Sequence, residues 1–121
     1  MYAVQRRAMA PGVRWRITDD GHLERSTAAS DWTRIFAATP VYFRAIAVIG
    51  NHVWAGGNDG ALFHSVDGGE QWTKVEIAAN GEAERGTIGS IRFDSPLQGS
   101  VTTASGTVWS TSDGGKTWLR Q

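Results

Sequence analysis

The stretch Ser65-Val66-Asp67-Gly68-Gly69-Glu70-Gln71-Trp72 decides how this chain folds, because it returns as Thr111-Ser112-Asp113-Gly114-Gly115-Lys116-Thr117-Trp118. Both copies follow Ser/Thr-x-Asp-x-Gly-x-x-Trp. Chemically each is a tight turn with its own fastening. The Asp carboxylate is placed to accept backbone N–H groups of the turn. The glycines supply the positive φ values that such a turn demands. The Trp opens the next strand and returns a large apolar ring to the base of the turn. Ser65, Asp67, Gly69 and Trp72, with Thr111, Asp113, Gly115 and Trp118, are therefore read as structural residues.

Each octamer sits in a larger frame. Gly60-Ala61-Leu62-Phe63-His64-Ser65 matches Gly106-Thr107-Val108-Trp109-Ser110-Thr111, and both match Gly21-His22-Leu23-Glu24-Arg25-Ser26. The leading glycines lie 39 and 46 residues apart, and the closing Trp32, Trp72 and Trp118 lie 40 and 46 apart. Periods of this size belong to four-stranded propeller blades. The first copy has lost its Asp-Gly-Gly, so its turn needs other fastening through Ser30 or Asp31. The longer second interval comes from the polar segment 78–86, read as an exposed loop.

The expected fold is all-β: one domain, 1–121, of three four-stranded antiparallel blades at about 2–38, 41–77 and 86–121. The middle blade reads as Phe43–Ile49, Val53–Gly57, Ala61–Ser65 and Trp72–Ile77, with a hairpin turn at Asn58-Asp59-Gly60. The third reads as Ile88–Phe93, Gly99–Thr103, Thr107–Thr111 and Trp118–Arg120. The first reads as Arg14–Thr18, His22–Ser26 and Trp32–Ala37, with its inner strand in Tyr2–Met9. Pro11, Pro40 and Pro96 fall in connections, where a missing N–H harms no ladder.

Composition narrows the function. Lys+Arg and Asp+Glu are both 12, so no net charge favours nucleic acid or an anionic membrane. The charges are uneven, with seven Arg and four acids in 1–50 against five bases and eight acids in 51–121. Cysteine is absent, which removes disulfides and thiolate chemistry. No apolar run approaches the roughly 20 residues of a membrane span. The start, Met1 to Arg7, lacks the apolar core of a signal peptide. An exported or membrane-tethered, extracytoplasmic form would carry its targeting segment outside this chain.

The frame and the two intact octamers resemble the Asp-box, or BNR, repeats of propellers. From about residue 13 onward the chain is similar to the photosystem II assembly and stability factor domains found in many bacteria. The resemblance implies a non-enzymatic scaffold for assembly or interaction with a protein partner. It implies no cofactor and carries over no individual arginine. Asp-boxes also occur in sialidases, but this chain has only Tyr2 and Tyr42 for the tyrosine–glutamate nucleophile those enzymes need.

Asp67 and Asp113 lack the further alternating oxygens of a Ca²⁺ loop, and of His22, His52 and His64 the first and last occupy nearly equivalent places in different blades, which keeps them apart, so no metal site is expected. His64-Ser65-Val66-Asp67 contains triad residue types, but strand neighbours point to opposite faces. Candidate contact residues are Trp15, Trp54 and Trp109, which could stack on a glycan or fill the core, and Arg14 and Arg16, which share one strand face. A carbohydrate-binding module is thus the alternative function.

Closed propellers have about four to eight blades, so three would leave two faces open. If those faces are apolar over many hundreds of Å², exposure costs on the order of ten kcal/mol each. A homodimer closing a six-bladed ring is the resulting expectation. Met1 at the start and the end just after the third closing strand are in keeping with an intended unit.

Overall fold

The computed structural model describes residues 13–27, 31–35 and 41–121. The expected inner strand of the first blade at Tyr2–Met9, together with Pro11, Ser30 and Pro40, lies outside them. Thirteen strands occur among the described residues, all paired antiparallel. The first sheet joins β1 (Arg14–Ile17), β2 (Leu23–Ser26) and β3 (Thr33–Ile35). The middle sheet runs β4 (Phe43–Ile49), β5 (His52–Gly57), β6 (Leu62–Ser65) and β7 (Thr73–Lys74).

Segment 78–86 is not a plain loop. It holds a ribbon of β8 (Ala78–Ala79) and β9 (Glu82–Ala83), turned by Asn80 and Gly81 at φ 56° and 81°. Asn-Gly with both residues left-handed is the favoured two-residue hairpin. The third sheet runs β10 (Ile88–Phe93), β11 (Gly99–Thr103), β12 (Val108–Thr111) and β13 (Leu119–Arg120). Each sheet is a meander, because short Gly-bearing turns leave each strand next to its predecessor. Between β5 and β6, Asn58–Gly60 forms one 3₁₀ turn with Asp59 and Gly60 at φ 59° and 70°.

The core lies between sheets, in two layers. Trp15 and Leu23 of the first sheet meet Ile46, Val48, Val53, Ala55 and Phe63 of the middle one. On the other side, Ala45, Ala47, Trp54 and Leu62 meet Ile91, Phe93, Val101 and Trp109 of the third sheet. The middle sheet is therefore apolar on both faces, as expected of a strand set buried twice over.

The end faces are different, and here one expectation is corrected. Strand register aligns Trp54, opposite His64, with Ser100, opposite Ser110. In the same way Ala45 and Ala47 correspond to Ser90 and Arg92, and Gly56 to Thr102. The face that the third sheet turns away from the stack is thus polar. On the first sheet, Arg14, Arg16 and Glu24 stand where the middle sheet has Val53, Ala55 and Phe63. Neither described end face is the large apolar surface from which ring closure by a second copy followed. Among the described residues that driving force is missing.

Candidate functional site

The two octamers make nearly the same clamp. Ser65 Oγ donates to Asp67 Oδ1 at 2.7 Å and accepts the Gly69 N–H at 2.8 Å. Asp67 Oδ1 accepts the N–H groups of Glu70 and Gln71 at 3.1 and 2.9 Å. In the other copy Thr111 Oγ1 donates to Asp113 Oδ1 at 2.8 Å, and Asp113 accepts from Thr117 N and Thr117 Oγ1 at 2.9 and 2.5 Å. Each closing indole donates back into its turn, Trp72 to Gly69 O at 3.0 Å and Trp118 to Gly115 O at 3.1 Å. Donors aimed at a carboxylate favour its charged form. Accordingly Asp67 is held below its ordinary value, chiefly by the Gln71 N–H, and Asp113 is lowered to about 2, chiefly by the Thr117 hydroxyl.

The clamps also join sheets. A Cβ on Gly69 would come within 2.5 Å of Trp15 Cη2, and one on Gly115 within 2.6 Å of Trp54 Cη2. Each Trp of one sheet therefore presses on the second turn glycine of the next. Arg25 of the first sheet reinforces the first contact, donating to Gly68 O at 2.7 Å and to Glu70 Oε2 at 2.8 Å.

Trp15, Trp54 and Trp109 are 3%, 0% and 3% exposed. Their rings face protein, so they offer no stacking platform to a glycan, and that use of them is corrected. Trp54 lies between His64 and Phe93, with ring centroids 3.8 and 4.4 Å away. Trp109 donates its indole N–H to Glu84 Oε1 at 2.9 Å, and the other Glu84 oxygen takes the N–H groups of Arg85 and Gly86. The hairpin segment is thereby tied to the third sheet.

His52 Nδ1 and His64 Nε2 lie 2.9 Å apart. Burial against Trp54, with His52 beside it, pushes the His64 pKa from 6.5 down to about 4. The folded state thus keeps His64 neutral where the unfolded chain takes a proton. That stability is fully present above pH 6.5 and is lost as pH falls from 6.5 towards 4. His64 is only half buried, so the loss is discounted to roughly 1–2 kcal/mol. Urea midpoints should fall between pH 7 and pH 5, and His64→Gln should flatten that slope. The Asp67 and Asp113 clamps contribute separately, since their stability is lost only below the ordinary carboxylate range.

Arg14 and Arg16 do share one face. Their guanidinium carbons stand 5.1 and 4.0 Å from the centre of the Trp32 ring. Arg16 Nε donates to Glu24 Oε1 at 2.6 Å, with its side chain 41% exposed. Arg34 is opposite Glu24 in register. The result is a ledge on the outer face of the first sheet, with three arginines, one carboxylate and a half-buried indole. Sequence reasoning placed Arg14 and Arg16 together but missed Trp32 as the surface beneath them.

A family model described as photosynthesis system II assembly factor YCF48 matches residues 18–121. Photosystem II assembly lipoprotein Ycf48 of Synechococcus sp. (strain CC9902) is 33% identical over 78 residues, 63% of this chain and 22% of that protein. A solved structure of YCF48 bound to D1 peptide superposes with a TM-score of 0.78 at 19% identity, covering 94% of this chain and 38% of that one. YCF48 from Cyanidioschyzon merolae gives 0.73 at 21% identity, with 91% and 33% covered. At these identities the structures show the fold, a β-propeller. The chain spans well under half the length of each.

Proposed function

Given that the chain belongs to the photosynthesis system II assembly factor family over residues 18–121, we propose that it is a non-enzymatic interaction scaffold that binds a peptide segment of a partner protein. The observation that carries the reading is the Arg14–Arg16–Trp32 ledge. It is formed on a sheet face, outside the core, where Arg14, Arg16 and Arg34 stand with Glu24. The pKa of the Asp20 carboxylate is held down chiefly by the Thr18 hydroxyl, and Arg34 is near enough to help. Guanidinium groups positioned over an indole meet further carboxylates at lower entropic cost than freely rotating side chains. A peptide with acidic side chains or a free C-terminus is the matching ligand. A relative's structure holding a D1 peptide supports the ligand class.

The non-enzymatic part rests on how the reactive side chains are used. Ser65 Oγ is committed to Asp67 and Gly69 inside the clamp. His64 is on the other side of the strand, stacked on Trp54. Neither is placed to act on the other as base and nucleophile.

A labelled D1 peptide titrated into the chain by fluorescence anisotropy tests this. Arg14→Ala with Arg16→Ala should weaken binding by about tenfold or more, as expected for losing charge-assisted contacts. Arg92→Ala, on the far end of the stack, should leave it unchanged. Equal binding by the double variant would remove the ledge as the site, and no saturable binding at all would remove the peptide reading.

A further inference from the structure

The middle sheet carries a pair of side chains that neither the clamps nor the arginine ledge uses. His52 opens β5, and His64 lies in β6, the next strand. Register sets Trp54 opposite His64, so His52, two residues before Trp54, projects from the same face. Nδ1 of His52 and Nε2 of His64 come to 2.9 Å, with the ring planes 17° apart. The separation that keeps His22 from His64 does not apply to this pair, because β5 and β6 are neighbours.

The hairpin itself does not require imidazoles. At the position of His64 the first sheet has Arg25 opposite Trp15, and the third has Ser110 opposite Ser100, in the same register. At the position of His52 those sheets have Val13 and Gln98. Metal–imidazole bonds are about 2.0–2.1 Å long, so two nitrogens at this separation subtend about 90° at a shared ion. A tetrahedral centre with the same bonds needs nitrogens about 3.3 Å apart. A right angle is that of neighbouring positions around tetragonal Cu²⁺ or Ni²⁺. His64 is already fixed by its stack on Trp54, with centroids 3.8 Å apart, so little rotamer freedom is left to lose there. Both rings are only partly buried, which leaves an ion a way in and lets water complete its ligands.

We propose that His52 and His64 form a two-imidazole site for a divalent transition ion of tetragonal preference, Cu²⁺ above all. The hydrogen shared between the two rings moves to the outer nitrogen of its own ring. Both rings then stay neutral, and both facing lone pairs reach the ion. His52, at the first position of its strand, supplies the ring rotation that aims them. Among the described residues no third His, Cys, Asp or Glu stands with the pair, so the affinity is modest. The site lies within the middle sheet and depends neither on the peptide reading nor on what flanks the three sheets.

Calorimetric titration of the chain, made without a polyhistidine tag, with CuCl₂, NiCl₂ and ZnCl₂ at neutral pH tests it. One Cu²⁺ per chain is expected, with Zn²⁺ at least about tenfold weaker. His52→Gln places in the middle sheet the residue that the third already has at this position, and circular dichroism checks that it folds. It should weaken Cu²⁺ binding by about tenfold or more, and His22→Gln should leave it unchanged. Electron paramagnetic resonance of the Cu²⁺ complex should show coupling to two imidazole nitrogens. Should His52→Gln fail to fold, that nitrogen count decides, and fewer than two overturns the site. Unchanged affinity in a folded His52→Gln, or no saturable Cu²⁺ binding, overturns it as well. A loss in His22→Gln instead would put the ion at the Asp20–His22 pair, 3.6 Å apart, and Zn²⁺ binding as tight as Cu²⁺ would remove the right-angle geometry; either result overturns the proposal.

Discussion

Trp54→Ala is expected to cost about 3–5 kcal/mol, a large share of the stability of a small domain. The ring is fully buried and is shared by two structural features. It lies in the stack between His64 and Phe93, and it presses edge-on against Trp118, with centroids 6.4 Å apart. It also seats the middle sheet on Gly115 of the third. Truncating a buried tryptophan costs about 3–5 kcal/mol, against a total of about 5–15 for a small domain. The indole N–H, buried without a partner among the described residues, offsets a little of this when it is removed. Urea unfolding followed by far-ultraviolet circular dichroism measures the loss. A change below about 1 kcal/mol, the range of a surface substitution, would contradict the seating role.

Gly115→Ala is expected to cost about 2–5 kcal/mol from the other side of the same contact. The added methyl meets Trp54 Cη2 at 2.6 Å, and the backbone is at φ 91°. Left-handed backbone alone costs a residue with a Cβ about 1–2 kcal/mol, and overpacking adds about 1–3. Gly68→Ala separates the two effects. It has φ 73° but nothing within 4 Å of the added carbon, so only the backbone cost of about 1–2 kcal/mol should appear. Equal losses at both positions would mean that the neighbouring indole plays no part.

The fold was legible in the sequence because its signals are local. Each octamer carries its acceptor, its glycines and its closing ring within eight residues, and the strands between read as short apolar or alternating runs. Ile88–Phe93 and Gly99–Thr103 appear in the structure with the bounds their patterns suggest. The outer strands are shorter, Thr73–Lys74 and Leu119–Arg120, because the chain leaves the ladder soon after the clamp. The hairpin within 78–86 had a readable signal in Asn80-Gly81, but its polar composition spoke for a loop.

The contacts between sheets were harder to read. His52 and His64 meet because β5 and β6 are adjacent strands whose register brings them close, and Arg25 meets Glu70 across 45 positions. Spacing along the chain does not encode such meetings. The polar outer face of the third sheet was in principle visible, since Trp15, Trp54 and Ser100 align once the repeats are superposed. Treating every repeat as having the same two faces hid it, and led to an expected apolar face that the described third sheet does not have. The tryptophans illustrate the same limit. Their number suggests either core or platform, and only the packing of neighbouring sheets assigns Trp15, Trp54 and Trp109 to the core while leaving Trp32 under two arginines.

The most direct measurement of the proposed role is amide hydrogen exchange of the chain with and without saturating D1 peptide. Slowed exchange should concentrate in the first sheet, at residues 14–17, 23–26 and 32–35, with the third sheet unchanged. Protection centred on residues 88–120 with the first sheet unaffected, or no protection anywhere, would contradict a partner surface on the arginine ledge.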